Sequence, residues 1–251
     1  MKISTVTITG ADDSINPEAL IELSQEFPFV EWGILLSATQ EGGKRFPSLD
    51  WMKRLDKLVL DHSLEESVNV SAHLCGGWVR DILKGIVFHP HDGIWPMFRR
   101  AQLNFHAETI PIVLRNCLSA LKHLDRELIF QWDGVNNYLY AYARRAGIAV
   151  TPLFDLSGGA GVVPDEWPRP MENTWCGYAG GLGPENLQEE LQKIAAVVGD
   201  RTIWIDTETK VRSNNDMQFD IGKVRTFLEI AKAYTGGTGP ELRGQRDRSG
   251  W

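Results

Sequence analysis

The sequence has no uninterrupted apolar run near the roughly 18 residues that cross a bilayer. Its opening Met-Lys-Ile-Ser-Thr-Val-Thr lacks the apolar stretch of a secretory signal. Cysteine is scarce: Cys75, Cys117 and Cys176 are odd in number and far apart, which excludes a disulfide framework or a zinc ribbon and fits a reducing compartment. Positive charge is in deficit, with 26 Lys and Arg against 33 Asp and Glu for a net charge of −7, whereas a nucleic-acid binder needs a basic face. No G-x-G-x-x-G follows the first strand pattern, and no Walker loop, G-x-S-x-G elbow or H-E-x-x-H occurs. These absences lead us to expect a soluble, cytoplasmic protein with no cofactor and neither nucleic acid nor membrane as partner. Its oligomeric state stays open.

What is present is a chain of 251 residues, 43% apolar and 24% charged, enough to bury a large core. Short β-branched or aromatic runs alternate with longer helical patterns, as in βα units around a parallel sheet. Strands are expected near 3–9, 29–36, 68–75, 101–106, 127–133, 148–155, 174–180 and 202–207. Helices are expected near 17–26, 48–60, 77–84, 109–123, 136–146, 184–198 and 220–234, while 156–173 is rich in Gly and Pro instead. Eight strands are the number that closes a (β/α)8 TIM barrel, here over residues 1–235. An open doubly wound sheet is the competing arrangement. The segment from Gly236 to Trp251 is poor in apolar residues and reads as a disordered tail.

Side chains alternate across a strand, so each pattern splits into two faces. Val70, Ala72 and Leu74 oppose Asn69, Ser71, His73 and Cys75; Leu103 and Phe105 oppose Gln102, Asn104 and His106. Leu128, Phe130 and Trp132 oppose Gln131 and Asp133, and Val6 and Ile8 oppose Thr5, Thr7 and Thr9. Val30 and Trp32 oppose Glu31, and Ile203 and Ile205 oppose Asp206. If helices ring the outside, the polar face points into the barrel, where each unpaired group would cost about 1–3 kcal/mol. A wet, ligand-holding mouth at the strand C-termini accounts for this pattern, and a self-satisfied internal network is the alternative. Trp32, Trp132 and Trp175 fall on the expected helix-facing side, whereas Trp204 can enter the barrel.

Two glycine-bearing turns follow late strands. Asp155 is followed by L-S-G-G-A-G, and the seventh strand runs into G-G-L-G-P-E-N-L at the start of a helix. Such turns bring backbone amides close to an anion, and a helix N-terminus adds partial positive charge.

With these motifs the chain resembles the phosphoribosylanthranilate isomerase family of TIM barrels. A-G-G-L-G-P-E-N-L (Ala179 to Leu187) is similar to the family's A-G-G-L-N-P-E-N-V, and D-L-S-G-G-A-G (Asp155 to Gly161) to its Asp and G-G-T-G loop. T-I-T-G (Thr7 to Gly10), G-K-R-F-P-S around Arg45 and Q-L-N-F-H (Gln102 to His106) stand where the family has K-I-C-G, S-P-R-Y-V-S and Q-L-H-G. The resemblance implies an aldose–ketose rearrangement of a phosphorylated sugar derivative. It implies Asp155 as general acid, phosphate loops at Gly158, Gly159, Gly161, Gly180 and Gly181, and Arg45 as a clamp on a substrate carboxylate. Gln102 joins the binding residues. The family's catalytic Cys is absent: Thr9 stands there, and a Thr hydroxyl is no general base near neutral pH. His73, His106, Asp133 and Asp206 are the candidates to replace it. The turn after the last strand is D-T-E-T-K, where Glu208 would repel a phosphate unless Lys210 offsets it. The expected function is therefore a barrel binding a small phosphorylated or carboxylate-bearing metabolite, with isomerase or lyase chemistry. A binding barrel without turnover, and a metal-dependent enzyme using His73, His106 and the Asp carboxylates, are the alternatives.

Overall fold

The computed structural model describes residues 1–87, 91, 93–105, 112–132, 134, 136–155 and 160–236. Eight parallel strands close a barrel in chain order: β1 (Lys2–Thr9), β2 (Val30–Leu36), β3 (Asn69–Leu74), β4 (Arg100–Leu103), β5 (Glu127–Gln131), β6 (Val150–Phe154), β7 (Gly177–Tyr178) and β8 (Thr202–Thr207). β1 closes the ring, pairing with β2 through Val6 and Val30 and with β8 through Val6 and Ile205. The helices are α1 (Glu18–Glu26), α2 (Leu49–Asp61), α3 (Gly77–Lys84), α4 (Leu114–His123), α5 (Asn137–Arg145), α6 (Leu187–Val198) and α7 (Ile221–Lys232). The fold is a (β/α)8 TIM barrel in which β6 connects to β7 without a helix among the described residues.

Local chemistry explains the helix borders. Ser48 accepts a hydrogen bond from Trp51 N at 3.2 Å and starts α2, which buries Trp51, Met52, Leu55 and Val59 on one stripe. Asp220 caps α7 through Lys223 N at 3.1 Å, and Val224, Phe227, Leu228 and Ala231 face inward. Gly85, with φ of 94°, ends α3 in the left-handed conformation that favours glycine. Between these helices and the barrel lies the apolar core, including Ile8, Trp32, Val70, Leu74, Leu103, Phe130 and Ile205. Each such large side chain contributes about 1.5–3 kcal/mol by leaving water.

The structure corrects several expectations. β4 and β5 end earlier than expected, at Leu103 and Gln131, and β7 carries only two residues of regular pairing. Trp175 faces the lumen rather than the helices, packing with Trp204, Ile129, Leu153 and Ala179. It lies two residues before Gly177, and a methyl on Gly177 would overlap the Trp204 indole, so both positions belong to the inward face. An unexpected hairpin, β9 (Arg212–Ser213) with β10 (Gln218–Phe219), follows β8. Asn214, Asn215 and Asp216 turn it with φ of 51°, 54° and 68°, a conformation Asn and Asp tolerate. Apart from Gly236, the expected tail lies outside the described residues.

Candidate active site at the barrel mouth

The polar faces do point inward, and they sort into two kinds. The deeper groups bond mainly to one another, with Asn69 Oδ1, Arg100 Nη1 and Trp204 Nε1 left without a hydrogen-bond partner among the described residues. Arg100 grips Glu31 with two hydrogen bonds, Nε to Oε2 at 2.8 Å and Nη2 to Oε1 at 2.6 Å, while Thr7 donates to Glu31 Oε1 at 2.9 Å. The guanidinium carbon of Arg100 lies 4.4 Å from the ring centre of Trp204 and 4.8 Å from that of Trp175, a stacked cation inside the barrel. Thr9 donates to Asp206 Oδ1 at 2.9 Å and lies 3.5 Å from His73 Nδ1, and His73 Nε2 lies 3.2 Å from Ser71 Oγ. A methyl on Gly33 would overlap Thr9 Oγ1 and crowd the His73 ring, so glycine there makes room for this chain of contacts.

The upper groups open on a cavity of about 390 Å³. Asp155, Asp206, Gln102, Asn104, Gln131 and Cys75 line it with Arg45, Lys210, Gly161, Gly180 and Gly181. Leu35, Phe46, Phe105 and Leu153 give it apolar walls. Asp155 accepts from Gln131 Nε2 at 3.1 Å. Asp206 is 6% exposed. Burial, reinforced by the nearby carboxylates Glu208, Glu31 and Asp155, pushes its carboxyl well above the ordinary aspartate value, against the pull of the Thr9 hydrogen bond. Burial likewise pushes the Cys75 thiol up to about 11, so it carries its proton and is no ready nucleophile.

Burial pulls the His73 imidazole down from 6.5 to about 4, so it is neutral at pH 7. The unfolded chain takes up this proton near pH 6.5 and the fold only near pH 4. Stability should therefore fall as pH drops through that window, by about 3 kcal/mol from this group. His73→Asn should flatten this part of a curve of urea-unfolding free energy against pH between 7 and 4. An equal slope in both proteins would show that His73 does not carry it.

The described end of the first glycine-bearing turn, residues 160 and 161, meets the second turn. Gly161, Gly180 and Gly181 have φ of 66°, 118° and 64°, and a methyl on Gly181 would collide with Gly161 O and Val163 N. Gly181 thus lets the second turn lie directly on residues 161–163. At the start of α6, Gly183 N already donates to Asn186 Oδ1 at 2.8 Å, and Asn186 Nδ2 donates to Gly181 O at 3.0 Å. Lys210 packs its aliphatic stem on Gly183.

Arg45 reaches the mouth already engaged. Its Nη1 donates to Glu208 Oε1 at 2.5 Å, its Nε to Asp216 Oδ2 at 2.7 Å, and its backbone N to Asp12 Oδ2 at 2.8 Å. Arg212 binds Asp12 Oδ2 at 2.6 Å and Gly10 O, tying the loops after β1, β2 and β8 together. The expected carboxylate clamp is therefore paired with the protein's own carboxylates, and Glu208 is in turn neutralised by Arg45. Sequence reasoning missed Asp12, Arg212 and Asp216 because the hairpin that brings them together was not foreseen.

Of the expected site residues, Asp155, Asp206, Arg45, Gln102, Gly161, Gly180 and Gly181 line one cavity. Thr9 and His73 lie behind Asp206. His106, Asp133, Gly158 and Gly159 lie outside the described residues. Among the described residues no three His, Cys, Asp or Glu side chains gather as a metal site. No described helix is long and apolar enough to cross a membrane.

No family model matches the sequence, and no curated protein matches it. Solved structures do. The putative spore coat polysaccharide biosynthesis protein E from Chromobacterium violaceum ATCC 12472 is 11% identical over 97% of this chain and 79% of its own, with a TM-score of 0.53. A phosphoribosylanthranilate isomerase from Thermotoga maritima is 16% identical over 91% and 98%, with a TM-score of 0.43. A KDPG aldolase from Legionella pneumophila is 12% identical over 92% and 94%, with a TM-score of 0.48. At these identities the likeness is one of fold, and the closed ring of eight parallel strands fixes that fold: the chain is a TIM barrel.

Proposed function

We propose that the mouth binds a small phosphorylated, sugar-like metabolite and moves a proton on it, as an isomerase or a lyase does. The observation that carries this reading is the pair Asp155 and Asp206, two carboxyls at strand ends that open on one cavity of about 390 Å³. That volume is in the range that encloses a small metabolite. Asp206, whose carboxyl burial pushes well above the ordinary aspartate value, is the acid that donates to a carbonyl oxygen. Asp155, aligned by Gln131, takes the proton from the adjacent carbon. Two carboxyls with different surroundings divide acid and base work in this way. Asp155 thus takes over the base role of the missing Cys rather than the acid role implied by the family resemblance, and Asp206 becomes the acid. Lys210 and the turns at Gly161 and Gly180–Gly181 supply the phosphate end, with Glu208 neutralised by Arg45.

Incubation with aldose and ketose phosphates in deuterated water, followed by NMR, tests this reading. Wild-type protein should exchange a carbon-bound proton, and Asp155→Asn should lower the rate at least about tenfold with an unchanged melting temperature. Stoichiometric binding without exchange would make the protein a binding barrel. A lowered melting temperature with unchanged exchange would make Asp155 a cap on its turn.

A further inference from the structure

Four buried groups form a chain in which each hydrogen bond fixes the next. Thr9, at the end of β1, donates to Asp206 Oδ1 at 2.9 Å and lies 3.5 Å from His73 Nδ1, and Ser71 Oγ lies 3.2 Å from His73 Nε2. The register explains how β1 and β3 touch across β2: Thr9 pairs with Gly33 and Gly33 with Ser71, and the glycine leaves the space between them open. Both ring nitrogens of His73 thus face an oxygen. Ser71, His73 and Thr9 are buried, so water does not take over these contacts. A hydroxyl has one proton to give, and a neutral imidazole has one N–H and one bare nitrogen. The contacts therefore all run one way, toward Asp206 or away from it. If they run away, the Asp206 proton sits on Oδ1 and is turned inward onto Thr9. If they run toward it, Oδ1 accepts from Thr9, His73 carries its proton on Nδ1, and Oδ2 is left to meet the cavity that Asp206 lines.

Charge decides the direction. The carboxylates Glu208, Glu31 and Asp155 act on Asp206, whereas His73 has Glu31 beside it and, against that, Arg100. Side-chain dipoles orient in the field around them, so the donors turn toward the more negative end, at Asp206. Once Asp206 has released its proton, a donating Thr9 is what its Oδ1 requires. We infer that Thr9 and His73 are positioning residues: His73, protonated on Nδ1, donates to Thr9, and Thr9 donates to Asp206 Oδ1, which keeps the transferable proton of Asp206 on Oδ2, at the cavity. Neither residue lines the cavity, and neither gives up a proton. The bond that breaks is O–H at Asp206 Oδ2; its electron pair stays on the carboxylate and the proton goes to the ligand's carbonyl oxygen. This use of the chain rests on the proposed acid role of Asp206, whereas its direction can be read without any ligand.

NMR of the ligand-free protein tests the direction. With isotope-labelled histidine, the His73 signals are assigned by their loss in His73→Asn. They should show the Nδ1–H tautomer on both sides of the Asp206 titration, at pH values above about 4 where His73 is neutral. The Asp206 carboxyl, followed with labelled aspartate, should titrate about one pH unit or more higher in Thr9→Val, because a lost donor to a carboxylate changes its proton affinity about tenfold or more. Thr9→Ser keeps the hydroxyl and should keep the wild-type titration. An Nε2–H tautomer overturns the inference, as does a titration that Thr9→Val leaves in place or that Thr9→Ser moves as far as valine does. If Thr9→Val does not fold, the tautomer of the wild type decides. A wild-type protein that exchanges no substrate proton removes the acid role of Asp206 and leaves these readouts standing. Where exchange occurs, Thr9→Val should lower kcat with KM unchanged; a raised KM at constant kcat would make Thr9 a binding residue and overturn its positioning role.

Discussion

Arg100→Ala should destabilise the protein by about 3–5 kcal/mol, because it leaves Glu31 ionised and alone inside the barrel. Arg100 is 5% exposed and Glu31 4%, so water cannot take over the lost hydrogen bonds without opening the sheet. The alanine also removes the cation between Trp175 and Trp204. In a chain of this size each kcal/mol lowers Tm by about 2–4 °C, so a fall of roughly 6–20 °C is expected in a thermal melt. The double variant Glu31→Leu/Arg100→Met should recover most of that loss, since a buried pair replaced by well-packed apolar groups is often neutral. A single variant that costs less than about 1 kcal/mol would show that the pair contributes little.

Asp206→Asn should reduce proton exchange on a bound sugar phosphate by about 10²–10⁴-fold, the usual worth of a positioned acid. The amide can still accept from Thr9, so the fold keeps this contact. Stability should change in the opposite sense to activity. The folded protein holds the Asp206 proton well above the pH at which the unfolded chain releases it, so wild-type stability falls as pH rises through that interval. Asparagine has no proton to lose there. The variant should therefore gain relative to wild type as pH rises above the ordinary aspartate value, read from paired urea-unfolding curves. Retained exchange would move the acid role elsewhere, and parallel stability curves would place the Asp206 carboxyl at an ordinary value.

What could be read from the sequence was what alternation encodes. The period of two along β3 and β8 put His73 and Asp206 on the inward face, and the structure has them there, linked through Thr9. Of the first glycine turn only residues 160 and 161 are described, and there Gly161 lies against Gly181 of the second. Strand borders carry no such signal. Starting the fourth strand at Ala101 left out Arg100, one residue earlier, and with it the partner of Glu31. Trp175 went to the wrong face because β7 is short and its parity had little pattern to rest on. The pairing of Arg45 with Glu208 and Asp216 joins residues about 160–170 positions apart, which no local rule predicts.

The guanidinium stack also bears on how this barrel could be divided. Glu31, Thr7 and Arg100 come from the first four strands, whereas Trp175 and Trp204 come from the segment preceding β7 and from β8. A half-barrel made of β1 to β4 would keep its ion pair but open it to water. The complementary half would keep two adjacent indoles, 5.9 Å apart between ring centres, stripped of the cation that covers them. Each half therefore lacks what the other supplies at one point on the barrel axis, and the chain is built to close as a ring rather than to assemble from two finished pieces.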